Sequence, residues 1–177
     1  MSRILVVYYS RTGTTKCVAT EIAKALEGDV EEIVDHTPRS GLVGYMRSGF
    51  EGSFHKVTEI DPVALDPTGY DLVVLGSPVW SASMSSPMRA FIRHHRGALK
   101  AVAFFCTCGG RGGERVLEQM AAESGKAPAA SLILREADVA RGSVGMAIRG
   151  FADRILGSFQ SGQVESPPAA QAHAPAA

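Results

Sequence analysis

The feature that most constrains this chain is its alternation of short β-branched apolar runs with segments whose apolar residues recur every three or four positions. Arg3–Tyr9 is rich in β-branched and aromatic residues with no polar alternation, the pattern of a parallel strand buried on both faces. Val18, Ile22 and Leu26 then recur at four-residue steps, with Ala19 and Ala23 beside them. That is one face of a helix, which Gly28 is expected to end. Asp29–Val34 reads as a second strand, Asp71–Gly76 as a third, Lys100–Cys106 as a fourth and Ser131–Leu134 as a fifth. Pro87 opens a helix containing Met88, Phe91 and Ile92. Glu114–Ser124 carries Val116, Leu117 and Met120 on one face, and Val144, Ile148, Phe151 and Ile155 line a last helix. Repeated strand–helix units of this kind predict an α/β fold: a doubly wound, five-stranded parallel sheet of order 2-1-3-4-5 with helices on both faces.

A chain of 177 residues can build one substantial core. Residues 1–160 read as one domain. From Ser161 the composition is Ser, Gly, Gln, Pro and Ala, so the tail 161–177 is expected to be disordered for want of apolar surface to bury. The connection Thr37–Gly69 is long for this architecture. Gly41, Gly44, Gly49 and Gly52 weaken a helix there, while Tyr45, Phe50 and Phe54 supply apolar anchors. One loose helix and an excursion through Asp61-Pro62 and Asp66-Pro67 are expected, and connections of this length are often functional. Its apolar residues also suit a homodimer contact.

Composition removes several classes. Formal net charge is zero, which gives no support for a nucleic-acid partner. No apolar stretch approaches the roughly 20 residues of a membrane span. The N-terminus reads as a strand rather than a signal peptide, so a cytoplasmic location is expected. Three cysteines, Cys17, Cys106 and Cys108, form neither a disulfide framework nor the paired spacing of a zinc site. Cys106 and Cys108 read as one core-facing and one loop-facing residue, with a redox pair as the alternative. No Asp or Glu occurs between Ser77 and Gly113, which instead hold Arg89, Arg93, Arg96, Lys100 and Arg111. A neutral protein can still carry a basic face.

In doubly wound sheets ligands bind at the carboxyl ends of the strands near the switch point. The loops expected there are Ser10–Thr15, Ser77–Ser86 and Thr107–Gly113. The first, "YYSRTGTTK", places four hydroxyls and Gly13 where a strand becomes a helix. A helix N-terminus with such donors favours a phosphate. It has neither the Walker spacing nor the dinucleotide fingerprint. Thr12 alone is also a good N-cap, so a merely capped helix remains open. The second loop holds the only tryptophan, Trp80, either a flat wall for a planar ligand or a ring packed beneath its own loop. The third loop is glycine-rich, which permits close backbone approach. A receiver-type phosphoacceptor is unsupported, since Ser77-Pro78 stands where the aspartate would be. Neither Cys106 nor Cys108 has an arginine at cysteine-phosphatase spacing.

Taken together, "YYSRTGTTKCVATEIAKAL", "DLVVLGSPVWSASMSSPMRAFI" and "FFCTCGGRGG" resemble the flavodoxin-like flavoprotein family over about residues 3 to 158. The resemblance implies a three-layer sandwich that binds FMN noncovalently. It implies that Ser10, Arg11, Thr12, Gly13, Thr14 and Thr15 wrap the phosphate. Pro78, Val79, Trp80 and Ser81 would border the ribityl chain and the ring, and Thr107, Cys108, Gly109 and Gly110 would face the ring's polar edge. The chemistry would then belong to the flavin, with no catalytic side chain assigned.

The chain departs from the electron-carrier members in being neutral rather than strongly acidic, in lacking an aromatic residue in the third loop, and in its acid-free stretch. Basic groups near the flavin would stabilise its anionic reduced form. These departures favour NAD(P)H-dependent reduction of a quinone-like or other small acceptor. A protein-to-protein electron carrier is the alternative reading, with Tyr45, Phe50 or Phe54 covering the flavin. A binding module without FMN is the third.

Overall fold

The computed structural model describes residues 3–35 and 58–162. All five residues of strand β1 (Ile4–Tyr8) are buried, and alternate side chains point to opposite faces of a sheet. Ile4, Val6 and Tyr8 pack beneath Val18, Ile22 and Leu26 of helix α1 (Thr14–Leu26), together with Ile148, Phe151 and Ile155 of helix α5 (Gly145–Gln160). Leu5 and Val7 face the other way. They join Met88, Phe91 and Ile92 of helix α2 (Ser86–His95) and Val116 and Met120 of helix α3 (Gly113–Ser124). Two cores on one sheet account for the unbroken apolar runs in the sequence. Each fully buried aliphatic or Phe side chain contributes about 1.5–3 kcal/mol.

The remaining strands are β2 (Asp29–Glu32), β3 (Leu72–Trp80), β4 (Ser83–Met84), β5 (Ala101–Cys108) and β6 (Ser131–Arg135), and a short helix α4 (Glu136–Ala140) follows β6. The path β2-β1-β3-β5-β6 is parallel throughout, and β4 pairs antiparallel with the end of β3. Without that hairpin strand, the five parallel strands stand in the expected order 2-1-3-4-5. The chain winds to opposite sides from the gap between β1 and β3, so their carboxyl ends flank a crevice.

Three expectations about segment boundaries change. Ser77–Ser86 is not a loop: β3 continues to Trp80, turns through Ser81 and Ala82, and returns as β4. Ser77 and Pro78 extend the parallel ladder opposite Cys106 and Thr107. Pro78 is tolerated because β1 ends its pairing with β3 at Gly76, so no ladder bond is lost on that side. Second, Thr107 and Cys108 belong to β5 rather than to the glycine loop, and both are buried. Third, α1 closes on Glu27, which takes the left-handed conformation at φ 49°. Gly28 is needed for space, since a Cβ there would meet the Ile4 carbonyl oxygen at 2.8 Å.

Gly76 shows the same logic inside the sheet. It lies opposite Phe105, and a Cβ at Gly76 would meet that ring at 2.0 Å. The helix expected early in Thr37–Gly69, with Tyr45, Phe50 and Phe54, lies outside the described residues. The later part of that segment contains a bridge between Ile60 and Asp35 and a single 3-10 turn at Pro67–Gly69. The tail beyond Gly162 also lies outside the described residues.

Candidate functional site

The first loop leaves β1 through Tyr9 and enters α1 at Thr14. Its N-cap is Gly13, at φ 92°, and no side chain caps the helix. Thr12 is therefore not the N-cap that its type suggested. The hydroxyls have other relations. Ser10 Oγ accepts the Gly13 N–H at 3.1 Å, and Thr12 Oγ1 lies 3.5 Å from Thr14 Oγ1. Buried Thr15 shares a hydrogen bond of 2.8 Å with buried Thr107. A Cβ at Gly13 would meet nothing within 4 Å, so the space before the helix is open. Open N–H groups and the positive end of the dipole face that space.

The second loop is a tight hairpin. Ser81 and Ala82 both have positive φ, 49° and 56°, as a two-residue turn of this hand requires. Neither is glycine, so each residue costs about 1–2 kcal/mol of local strain. Strain of this kind concentrates at ligand sites. Ser77 Oγ accepts the Ser85 N–H at 2.9 Å and ties the base of the hairpin. Trp80 packs edge-on against Tyr9, their ring centroids 5.5 Å apart. Only 7% of Trp80 is exposed. Most of the ring is core, and the rest borders the crevice.

The third loop, Gly109–Gly112, leaves β5. A Cβ at Gly109 or Gly110 would meet nothing within 4 Å. At Gly112 (φ 92°) it would meet Ala82 Cα at 2.8 Å, so this loop presses directly on the hairpin turn.

The three loops converge as the topology predicts. They border a cleft of about 210 Å³. Arg11, Thr12, Thr14 and Thr15 line one end, Pro78, Val79, Trp80 and Ser81 a wall, and Gly109 part of the rim. Ser10 and Gly13 shape the first loop without lining the cleft. Thr107 reaches it through Thr15. Cys108 and Gly110 line a neighbouring cavity of about 420 Å³ beside α3 instead.

One lining residue, Glu136, escaped the sequence reading. It follows β6 directly, at the same edge of the sheet. Its place after the fifth strand was the available signal. The charges of the acid-free stretch are also not all available to the cleft. Arg89, 2% exposed, is paired with Glu123 of α3, which also takes Arg93 Nε and Nη2 at 3.0 Å each. Those hydrogen bonds, first from Arg93 and then from Arg89, hold the Glu123 carboxyl below the usual glutamate range against the opposing effect of burial. Arg11 and Glu136 are the charged residues lining the cleft. Both strand cysteines are buried. Burial pushes the Cys106 thiol up to about 12 and raises that of Cys108.

A family model described as flavodoxin matches residues 3–144. The chain belongs to the flavodoxin family. An NAD(P)H dehydrogenase (quinone) of Cupriavidus metallidurans is 31% identical over 99 residues, covering 52% of this chain and 46% of that protein. The chain thus spans about half the length of the curated relatives it matches. A flavoprotein in complex with FMN from Lactobacillus acidophilus NCFM superposes with a TM-score of 0.65 at 21% identity, covering 80% of this chain and 98% of the other. The flavodoxin, WrbA-like protein from Agrobacterium tumefaciens does so with a TM-score of 0.58 at 15% identity, covering 90% and 99%. At these identities the likeness to solved structures is one of fold. Among the described residues of this flavodoxin-family chain, no helix is long and apolar enough to cross a membrane.

Proposed function

We propose that the cleft binds FMN and that the protein is an oxidoreductase passing electrons from NAD(P)H to a quinone-like or other small acceptor. The observation that carries this reading is the uncapped N-terminus of α1, open to the cleft and surrounded by Ser10, Thr12, Thr14 and Thr15. A helix start without a side-chain cap wants an external acceptor, and a phosphate ester is the best match for N–H groups plus hydroxyls. The residues fit the rest of FMN as well. Trp80 and the hairpin offer an apolar wall for a flat ring, and Gly109 puts no side chain in its way.

Bound FMN supplies the electron-carrying chemistry that no side chain in the cleft provides. The residues have binding and electrostatic work. Arg11 offsets phosphate charge, the threonine hydroxyls orient the ester, and the hairpin sets how much of the ring meets water. Glu136 adds a negative charge on the cleft, which opposes build-up of charge on a reduced ring nearby. The relative named as an NAD(P)H dehydrogenase (quinone) supports the nicotinamide donor and quinone-like acceptor. A second reading, electron transfer between proteins, is favoured by the match to the flavodoxin model.

The test is reconstitution of purified protein with FMN, then anaerobic mixing with NADH or NADPH and addition of a quinone. The proposal predicts flavin absorbance that bleaches with the nicotinamide and returns with the quinone. Bound FMN that neither nucleotide reduces would favour the protein-to-protein carrier. No FMN uptake would overturn both and leave a binding module.

A further inference from the structure

We propose that Gln119 is a positioning residue for the ring wall of the cleft, a role that rests on the FMN reading above. Gln119 lies on α3 and does not itself line the cleft. Its Oε1 lies within hydrogen-bond reach of three donors: Ser83 Oγ at 2.9 Å, the Met84 N–H at 3.0 Å and Arg89 Nη2 at 3.3 Å. A backbone amide and a guanidinium can only donate, so the atom facing them must be the amide oxygen. Ser83 and Met84 are the whole of β4, and they pair with Trp80 and Val79 across the hairpin. Gln119 therefore grips the returning strand directly behind two residues of the wall.

The grip has a reason. Ser81 and Ala82 both sit in the left-handed region without being glycine, and such residues return to ordinary conformations unless the surroundings hold them. Gly112 presses on Ala82 from one side. Gln119 holds the return strand. Arg89, which also reaches Ser83 Oγ at 3.1 Å, braces the same hydroxyl. Glu123, one turn beyond Gln119 on α3, fixes Arg89 by an ion pair. The helix that begins at the glycine loop thus sets the shape of the hairpin wall opposite it.

The test compares wild type, Gln119→Leu and Gln119→Glu. Binding of FMN and riboflavin is followed by flavin fluorescence, and binding of inorganic phosphate by phosphorus NMR. Amide exchange of Met84 is measured without ligand. Leucine removes the acceptor, whereas glutamate keeps an oxygen at the same reach. Gln119→Leu is expected to weaken FMN and riboflavin about tenfold, to speed Met84 exchange and to leave phosphate binding unchanged. Gln119→Glu should restore ring binding. Equal weakening of ring and phosphate binding would mean general destabilisation and would overturn the positioning role. So would unchanged binding of all three. If Gln119→Leu does not fold, Ser83→Ala decides, with a smaller loss confined to FMN and riboflavin expected, and an unchanged ratio of ring to phosphate binding refuting the role. Wild type that binds no flavin sinks the cofactor reading itself, an outcome distinct from wild type that binds flavin while the variants match it.

Discussion

Thr15 Oγ1 lies 2.8 Å from Thr107 Oγ1, and both side chains are buried. The contact joins the first turn of α1 to the end of β5, across 92 residues of sequence. It fixes the first loop against the strand that carries the glycine loop. Thr107→Val leaves the Thr15 hydroxyl without this partner and should cost about 1–3 kcal/mol of stability. The double change Thr15→Val with Thr107→Val removes both polar groups and should cost clearly less than the sum of the two single changes. Urea denaturation of the four proteins measures this. Simple additivity would mean that the two hydroxyls do not depend on each other.

Gly76 and Phe105 form a complementary pair within the sheet. Gly76→Ala drives a methyl into the Phe105 ring and should destabilise by about 1–3 kcal/mol, with some displacement of β3. Adding Phe105→Leu makes room, so it should recover part of the loss. Thermal melts of the single and double variants decide. A Gly76→Ala protein as stable as wild type would show that the close approach is wrong.

The Glu123 carboxyl, with its proton affinity lowered by Arg93 and Arg89, makes stability depend on pH. The unfolded chain binds this proton more readily than the native one, so stability rises with pH through that window. The contribution is complete above the ordinary glutamate range and is lost as pH falls through the depressed native value. Glu123→Gln leaves buried Arg89 without its countercharge and should cost about 3 kcal/mol at neutral pH. The gap to wild type should shrink in acid. Urea midpoints at about pH 7 and about pH 3.5 test the sign. A gap that widens in acid contradicts it.

Cys106 and Cys108 should be silent toward alkylating reagents in the native protein. Their thiols are buried and held above the usual range, and Cys17 is exposed. Iodoacetamide at about pH 8 should label Cys17 alone until denaturant is added. Peptide mapping reads the outcome, and rapid native labelling of Cys106 would refute the buried assignment.

Much of this fold is legible in the chain itself. The runs at Ile4–Tyr8 and Leu72–Leu75 announce strands buried on both faces, because nothing polar interrupts them. The convergence of the three loops followed from topology alone. What escaped was set by pairing rather than by local preference. Ser77–Trp80 looks like loop because it holds Ser and Pro, but β5 continues beside it and β1 does not. Thr12 looks like a cap by type, while the positive φ of Gly13 gives that position to the glycine. Glu136 carries no local motif; its place directly after β6, on the common edge of the sheet, sets it on the same cleft as Arg11 and Trp80.

In the proposed function, Ser10–Thr15 holds the phosphate of FMN. The ratio of dissociation constants for riboflavin and FMN tests it most directly, because the two differ only in that phosphate. With charge-assisted hydrogen bonds worth about 1.5–3 kcal/mol each, FMN should bind at least about a hundredfold tighter than riboflavin. Thr12→Ala with Thr14→Ala should narrow that ratio by weakening FMN alone. Equal affinity of the wild-type protein for riboflavin and FMN would contradict the account.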